Sequence, residues 1–199
     1  MIETTTDQNL NLFQWQELNN QRQHPHLLIL GETGTGKSWL TSILLSILTG
    51  DKMVFSAIPF DIEKFDWLRK FPAFYGNAVL PALKAAIAQP DDSKILTVVI
   101  DSVDALFRRY PSTIPLVAEG LELDCYVRLL LVAQTDQGLK KQFGIDPSED
   151  LESQFSVIRL GRNAIDFARD PALVNWLKQQ QRPCLVDGQP AMMSSGCHA

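Results

Sequence analysis

The chain has no surplus of positive charge: 18 Lys and Arg stand against 23 Asp and Glu in 199 residues, a formal net charge of −5. That excludes a free-standing nucleic-acid binder held by its overall field, though not a ring or filament whose few basic residues converge on one channel. Cysteine is scarce. The three, Cys125, Cys184 and Cys197, form no CxxC pair, so free thiols in a reducing compartment are expected rather than a disulfide framework or a metal site. His24 and His26 flank Pro25 with no acidic or cysteine ligands nearby, and read as loop or surface residues rather than metal ligands. Internal repeats and low-complexity runs are absent. The most apolar stretch, residues 39–48, is about half of what a bilayer crossing needs, and residues 2–11 are too polar for a secretory leader. The expectation is a cytoplasmic protein without membrane insertion.

Hydrophobic residues make up 45% of the chain and charged residues 21%, values that suit one globular domain with an independent core. Residues 10–21 carry Leu12, Phe13, Trp15 and Leu18 around a helical period, and Pro25 closes that short leading helix. The apolar run at 26–30 suits a buried parallel strand, and Leu40, Ile43, Leu44, Ile47 and Leu48 then follow the spacing of one helix face, stopped by Gly50. Strands are expected at 53–58, 95–100, 127–133 and 155–160, with a short last one at 185–186. Helices are expected at 61–70, 80–89, 103–110, 115–123 and 170–181. Strands alternating with helices at this spacing imply an α/β fold of three layers, a mostly parallel central sheet covered on both faces. The expected division is a helix and lead-in over residues 1–25, one domain over 26–188 and a flexible tail over 189–199.

The octet Gly31, Glu32, Thr33, Gly34, Thr35, Gly36, Lys37, Ser38 satisfies G-x-x-x-x-G-K-[ST], with a strand before it and a helix after it. Glycines let successive backbone N–H groups turn inward onto phosphate oxygens, and the helix N-terminus adds its partial positive charge. Lys37 is then placed to bridge β- and γ-phosphates and the Ser38 hydroxyl to ligate Mg²⁺. Gly31, Thr33, Gly34, Thr35, Gly36, Lys37, Ser38 and Trp39 form the expected nucleotide-binding set. A magnesium nucleotide needs a second acidic contact. Asp101 ends the run Leu96, Thr97, Val98, Val99, Ile100, so it emerges at the sheet edge where the loop lies. It either holds the metal through water or caps the helix that follows, and the loop upstream favours the metal role. Gln134, closing the run 129–133, should reach the same edge. It either orients the attacking water or is satisfied by loop backbone.

In this order the three pieces resemble the additional-strand class of P-loop ATPases, with a RecA-like strand arrangement, and within it the FtsK/HerA-type pumping ATPases. The residues carrying the likeness are the octet, then Val98-Val99-Ile100-Asp101, then Leu129-Leu130-Leu131-Val132-Ala133-Gln134-Thr135, then Phe155-Ser156-Val157-Ile158-Arg159-Leu160. The resemblance implies ATP and Mg²⁺ as cofactors, hydrolysis coupled to movement of DNA or of another substrate, a homo-oligomer when active, and an arginine supplied in trans. Arg108, Arg109, Arg128, Arg159 and Arg162 are the arginines considered for that role. Lys37, Asp101, Gln134 and Asp104 are the expected catalytic residues, with Ser38 and Asp101 at the metal.

Two positions depart from the family pattern. The glutamate that usually follows the magnesium aspartate is replaced by Ser102, a poor base, which leaves Asp104, Glu119 or Glu122 as substitutes, Asp104 first. The stretch Glu119-Gly120-Leu121-Glu122-Leu123-Asp124 is acidic where the FtsK branch tends to be basic, which argues against DNA tracking by this segment. A nucleotide-dependent binding module with little hydrolysis is therefore the second expectation. The third is a small-molecule kinase with Arg162 and Arg169 in a lid over residues 163–167.

Overall fold

In the computed structural model, the described residues are 26–58, 70–88, 94–123, 126–146 and 148–192. The helices expected at 10–21 and over most of 61–70 lie outside them, as do His24, Cys125 and Cys197.

The continuous apolar runs become strands because both of their faces are covered. Every residue of β1 (Leu27–Leu30) is buried, with Leu28 and Leu30 turned to one core and Leu27 and Ile29 to the other. Helix α1 (Lys37–Ile47) follows, then β2 (Asp51–Ser56), β3 (Ala73–Tyr75), α2 (Val79–Ala88), β4 (Leu96–Asp101), α3 (Val103–Arg109) and α4 (Thr113–Leu121). Then come β5 (Val127–Ala133), α5 (Leu139–Gln142), β6 (Ser156–Leu160), α6 (Arg162–Phe167), α7 (Pro171–Gln179), β7 (Pro183–Val186) and β8 (Gln189–Met192). The eight strands form one sheet in the order β3-β2-β4-β5-β1-β6-β7-β8. The first six are parallel, and β7 and β8 add an antiparallel edge. The α/β fold with a mostly parallel sheet is the one expected from sequence.

One core lies between the sheet and α2, α3 and α4, built on Leu83, Ile87, Val103, Phe107 and Val117. The other lies under α1, whose Leu40, Leu44 and Leu45 are buried, with Leu48 just beyond the helix. The buried stripe is thus turned slightly from the expected one: Leu45 is inside, while Ile43 and Ile47 are half-buried. Gly50 is needed where it stands, because φ there is +89° and a side chain would run into the carbonyl of Ile95.

Three local expectations are corrected. His26 is not a surface residue: it is 3% exposed, its Nδ1 accepts the Leu129 N–H at 3.1 Å, and its Nε2 faces the Leu121 carbonyl at 3.1 Å. The ring satisfies backbone groups at the open end of the β1–β5 pair. The chain does not fray at Gln189. Asp187 and Gly188, with φ of +48° and +76°, make a two-residue hairpin that pairs β8 with β7, the Asp-Gly signal for such a turn. The region around 163–167 is not a lid, because α6 packs Ala164 against Leu177 and Leu185 in a small third core. Among the described residues no helix is long and apolar enough to cross a membrane.

Candidate functional site

The glycine loop leaves β1 already tied to its neighbour, since the Gly31 N–H donates to the Ala133 carbonyl at 3.2 Å. A side chain on Gly31 would sit 2.5 Å from Thr35 Oγ1 and 3.1 Å from Leu160 Cβ, so only glycine fits. Gly34 and Gly36 take φ of +87° and +94°, the left-handed turns that fold the backbone inward. Thr35 Oγ1 closes the loop by donating to the Glu32 carbonyl at 2.8 Å. Lys37 Nζ lies across it, donating to the carbonyls of Gly31 at 2.5 Å and Glu32 at 2.9 Å.

Helix α1 starts at Lys37 with no side-chain cap and no acidic residue in its first turn. Its leading N–H groups and dipole are therefore offered to an anion. Thr33 and Gly34 are exposed at the crown of the loop; Thr35, Gly36, Lys37 and Ser38 are half-buried, and Trp39 is 40% exposed.

Sheet order brings the carboxylate to this corner. One strand, β5, separates β1 from β4, and all three run parallel, so the ends of β1 and β4 open on the same edge. Asp101 closes β4 at 6% exposure. Burial holds the Lys37 ammonium below the ordinary lysine pKa, opposed by attraction to Asp101, then Asp104, then Glu32. The start of α1, with Lys37, and the end of β4, with Asp101, lie at one edge of the sheet. Ser38 and Asp101 supply hard oxygens of the kind Mg²⁺ takes, and the described residues hold no group of three or more His, Cys, Asp or Glu that could cage a metal. A cation here would draw its remaining ligands from phosphate and water, the usual habit of Mg²⁺. The residues fit the ion.

Ser102, in the position after the aspartate, has φ 58° and ψ 57°, a conformation costly for a non-glycine residue and concentrated at functional sites. Gln134 leaves the end of β5 with its side chain exposed. Its backbone is held from two sides: its N–H donates to Asp104 Oδ2 at 2.8 Å, and its carbonyl accepts from Asn163 Nδ2 at 3.1 Å. Asp104 therefore stands beside both Gln134 and Lys37, with one carboxylate oxygen already engaged.

Of the five arginines considered for action in trans, two are unsuited. Arg159 is 4% exposed, its Nη1 2.8 Å from Glu152 Oε1 and its guanidinium 3.8 Å from the centre of the Phe167 ring. Arg128 is 6% exposed within β5. Neither can reach a neighbouring molecule. Arg108, Arg109 and Arg162 are exposed.

Sequence reasoning missed Gly161 and Asn163. Gly161 has φ +62°, and a side chain there would press to 2.7 Å from Thr35 Cγ2. The turn after β6 thus rests on the glycine loop. Asn163 lies three residues past β6, behind Gly161 and Arg162, so the rule that located Asp101 and Gln134 does not single it out.

Residues 20–106 match the family model described as helicase HerA, central domain. No curated protein matches the chain. The fold is similar to that of EssC (ATPases 2 and 3) from Geobacillus thermodenitrificans, with a TM-score of 0.53 and 15% identity over 70% of this chain and 30% of that one. It is similar also to the cytoplasmic domain of the type VII secretion ATPase EccC from Thermomonospora curvata, with a TM-score of 0.54 and 17% identity over 88% of this chain and 26% of that one. The chain spans less than a third of either structure's length. The chain resembles the HerA/FtsK type of additional-strand P-loop ATPase, through the family model over residues 20–106 and through its fold over most of its length.

Proposed function

We propose that this chain binds ATP with Mg²⁺ on residues 31–38 and hydrolyses it, as the nucleotide-driven part of a HerA/FtsK-like machine that moves or assembles DNA or a protein substrate. One observation supports the reading: the parallel order β4-β5-β1 brings the buried Asp101 at the end of β4 to the same sheet edge as the glycine loop and Lys37 at the start of α1. On nucleotide binding, Lys37 exchanges the carbonyls of Gly31 and Glu32 for phosphate oxygens, a stronger charge-assisted pairing. The loop N–H groups and the α1 terminus hold the phosphates in line, while Ser38 and Asp101 hold the metal. Magnesium held there would supply positive charge to the phosphate oxygens. Gln134 sits where it can orient water and carry the change outward.

The active form in this reading is a homo-oligomer in which Arg108, Arg109 or Arg162 completes a neighbour's site. The family model favours DNA as the cargo; the fold likeness to a type VII secretion ATPase keeps a protein cargo beside it. The test is ATP turnover with and without DNA, read together with oligomeric state in ATP. DNA-stimulated turnover that disappears in Lys37→Ala supports the proposal. A monomer that releases no phosphate under either condition contradicts it.

A second reading, a nucleotide-dependent binding module, is favoured by Ser102 and by the Gln134 N–H already engaging Asp104. General bases contribute roughly 10²–10⁴-fold to such reactions. If the missing carboxylate limits turnover, Ser102→Glu raises phosphate release at least about tenfold. No gain over a wild type that already releases phosphate places the base elsewhere and favours the ATPase reading.

A further inference from the structure

The backbone of Gln134 is where three parts of the site meet. Its preceding carbonyl, from Ala133, accepts the Gly31 N–H at 3.2 Å, so the glycine loop begins on it. Its own N–H goes to Asp104, on the helix that follows the buried aspartate, and its own carbonyl receives the Asn163 amide. The orientation of Asn163 follows from chemistry: only the NH₂ end can face a carbonyl oxygen, since the opposite placement sets two acceptors together. The turn that carries Asn163 is itself seated on the loop, with no space between Gly161 and Thr35 for even a methyl group. A movement of Thr35 towards Gly161 on phosphate binding would therefore displace it. Asn163, two residues further on in the first turn of α6, passes that displacement to Gln134.

Resting on the ATP-binding reading above, we infer that Asn163 is a positioning residue for Gln134, and that the turn at residues 161–163 relays nucleotide occupancy from Thr35 to the end of β5. Asn163 touches neither nucleotide nor water in this role. It sets the backbone from which the glutamine side chain reaches. Asp104 is the fixed opposite anchor, and Asn163 is the movable one.

The test uses Asn163→Asp, which keeps the size but places a negative oxygen against the Gln134 carbonyl, and Asn163→Gln, which keeps the donor on a longer stem. Affinity for a fluorescent ATP analogue, steady-state kcat and KM, and hydrogen exchange of peptides covering 130–140 with and without a slowly hydrolysed analogue are measured in the full chain. The expected result is that Asn163→Asp binds the analogue within about twofold of wild type and keeps its KM, while kcat falls about tenfold, the size of one lost hydrogen bond. The analogue-dependent change in exchange at 130–140 disappears, and Asn163→Gln recovers at least part of both. Wild-type kcat and exchange in Asn163→Asp would overturn the inference. So would a loss of affinity equal to the loss in kcat, which marks a merely structural role. A wild-type chain that binds no nucleotide would instead sink the ATP reading itself, so the two failures are told apart.

Discussion

Two turns follow buried parallel strands at the same edge of the sheet, and they differ in what holds them. The loop after β1 is closed by its own residues: Thr35 and Lys37 bond back to Gly31 and Glu32, and two left-handed glycines set its path. The turn after β6 has one left-handed glycine, Gly161, and takes its shape from contact with Thr35 and Gln134. A structure defined within eight residues leaves a motif. One defined by neighbours far along the chain leaves none. The first turn carries the proposed nucleotide site; the second is built against it.

Removing the charge that serves the first turn should have the largest effect. Lys37→Ala is expected to weaken ATP affinity by at least about 100-fold, from two charge-assisted hydrogen bonds of roughly 1.5–3 kcal/mol each, measured by calorimetric titration. An affinity within tenfold of wild type would mean that the loop backbone alone does the binding.

The β6 side should break through its support. Glu152→Ala removes the 2.8 Å partner of the buried Arg159 guanidinium and leaves Asp136, at 3.9 Å, and the Phe167 ring beside it, and is expected to cost about 3 kcal/mol of stability by urea denaturation. Gly161→Val, which forces a branched side chain onto Thr35 at positive φ, should cost about 2 kcal/mol. It should also lower nucleotide affinity, because the displaced neighbour is the loop. Loss of stability with affinity unchanged would separate the two turns.

The smallest effect concerns β7. Burial pushes the Cys184 thiol up to about 12 from an ordinary value of 9.0, so the reactive thiolate is almost absent near neutrality. Iodoacetamide at pH 8 should leave Cys184 unmodified in the native chain and label it in urea, read by peptide mass. The sign for stability follows. The unfolded thiol ionises first, so the contribution of Cys184 declines as pH climbs from about 9 towards 12.

Much of this was legible before any coordinates, for a physical reason. Strands buried on both faces must be continuous apolar runs, and so 127–133 and the start of 103–110 could be placed to the residue. The residues just past such strands, Asp101 and Gln134, follow from the parallel direction alone. What escaped notice depended on partners. His26 looked like a loop residue because the backbone groups it satisfies, at Leu121 and Leu129, lie about a hundred positions away. Strand β3, Ala73–Tyr75, has three residues, too few for an alternation to mark it. The hairpin at Asp187 and Gly188 is readable from its dipeptide, yet β8 beyond it has only four residues to mark it as a strand. Arg159 could not be told from a surface arginine until Glu152 and Phe167 were seen around it.

The central claim is that Lys37 and Asp101 serve one magnesium nucleotide. Titration of ATP with and without Mg²⁺, in wild type and in Asp101→Asn, tests it most directly. The account predicts that Mg²⁺ tightens binding to the wild type by tenfold or so, the order of a single ionic contact, and leaves the variant unchanged, with metal-free affinity similar in the two. An Asp101→Asn chain that still gains the full magnesium effect would contradict it.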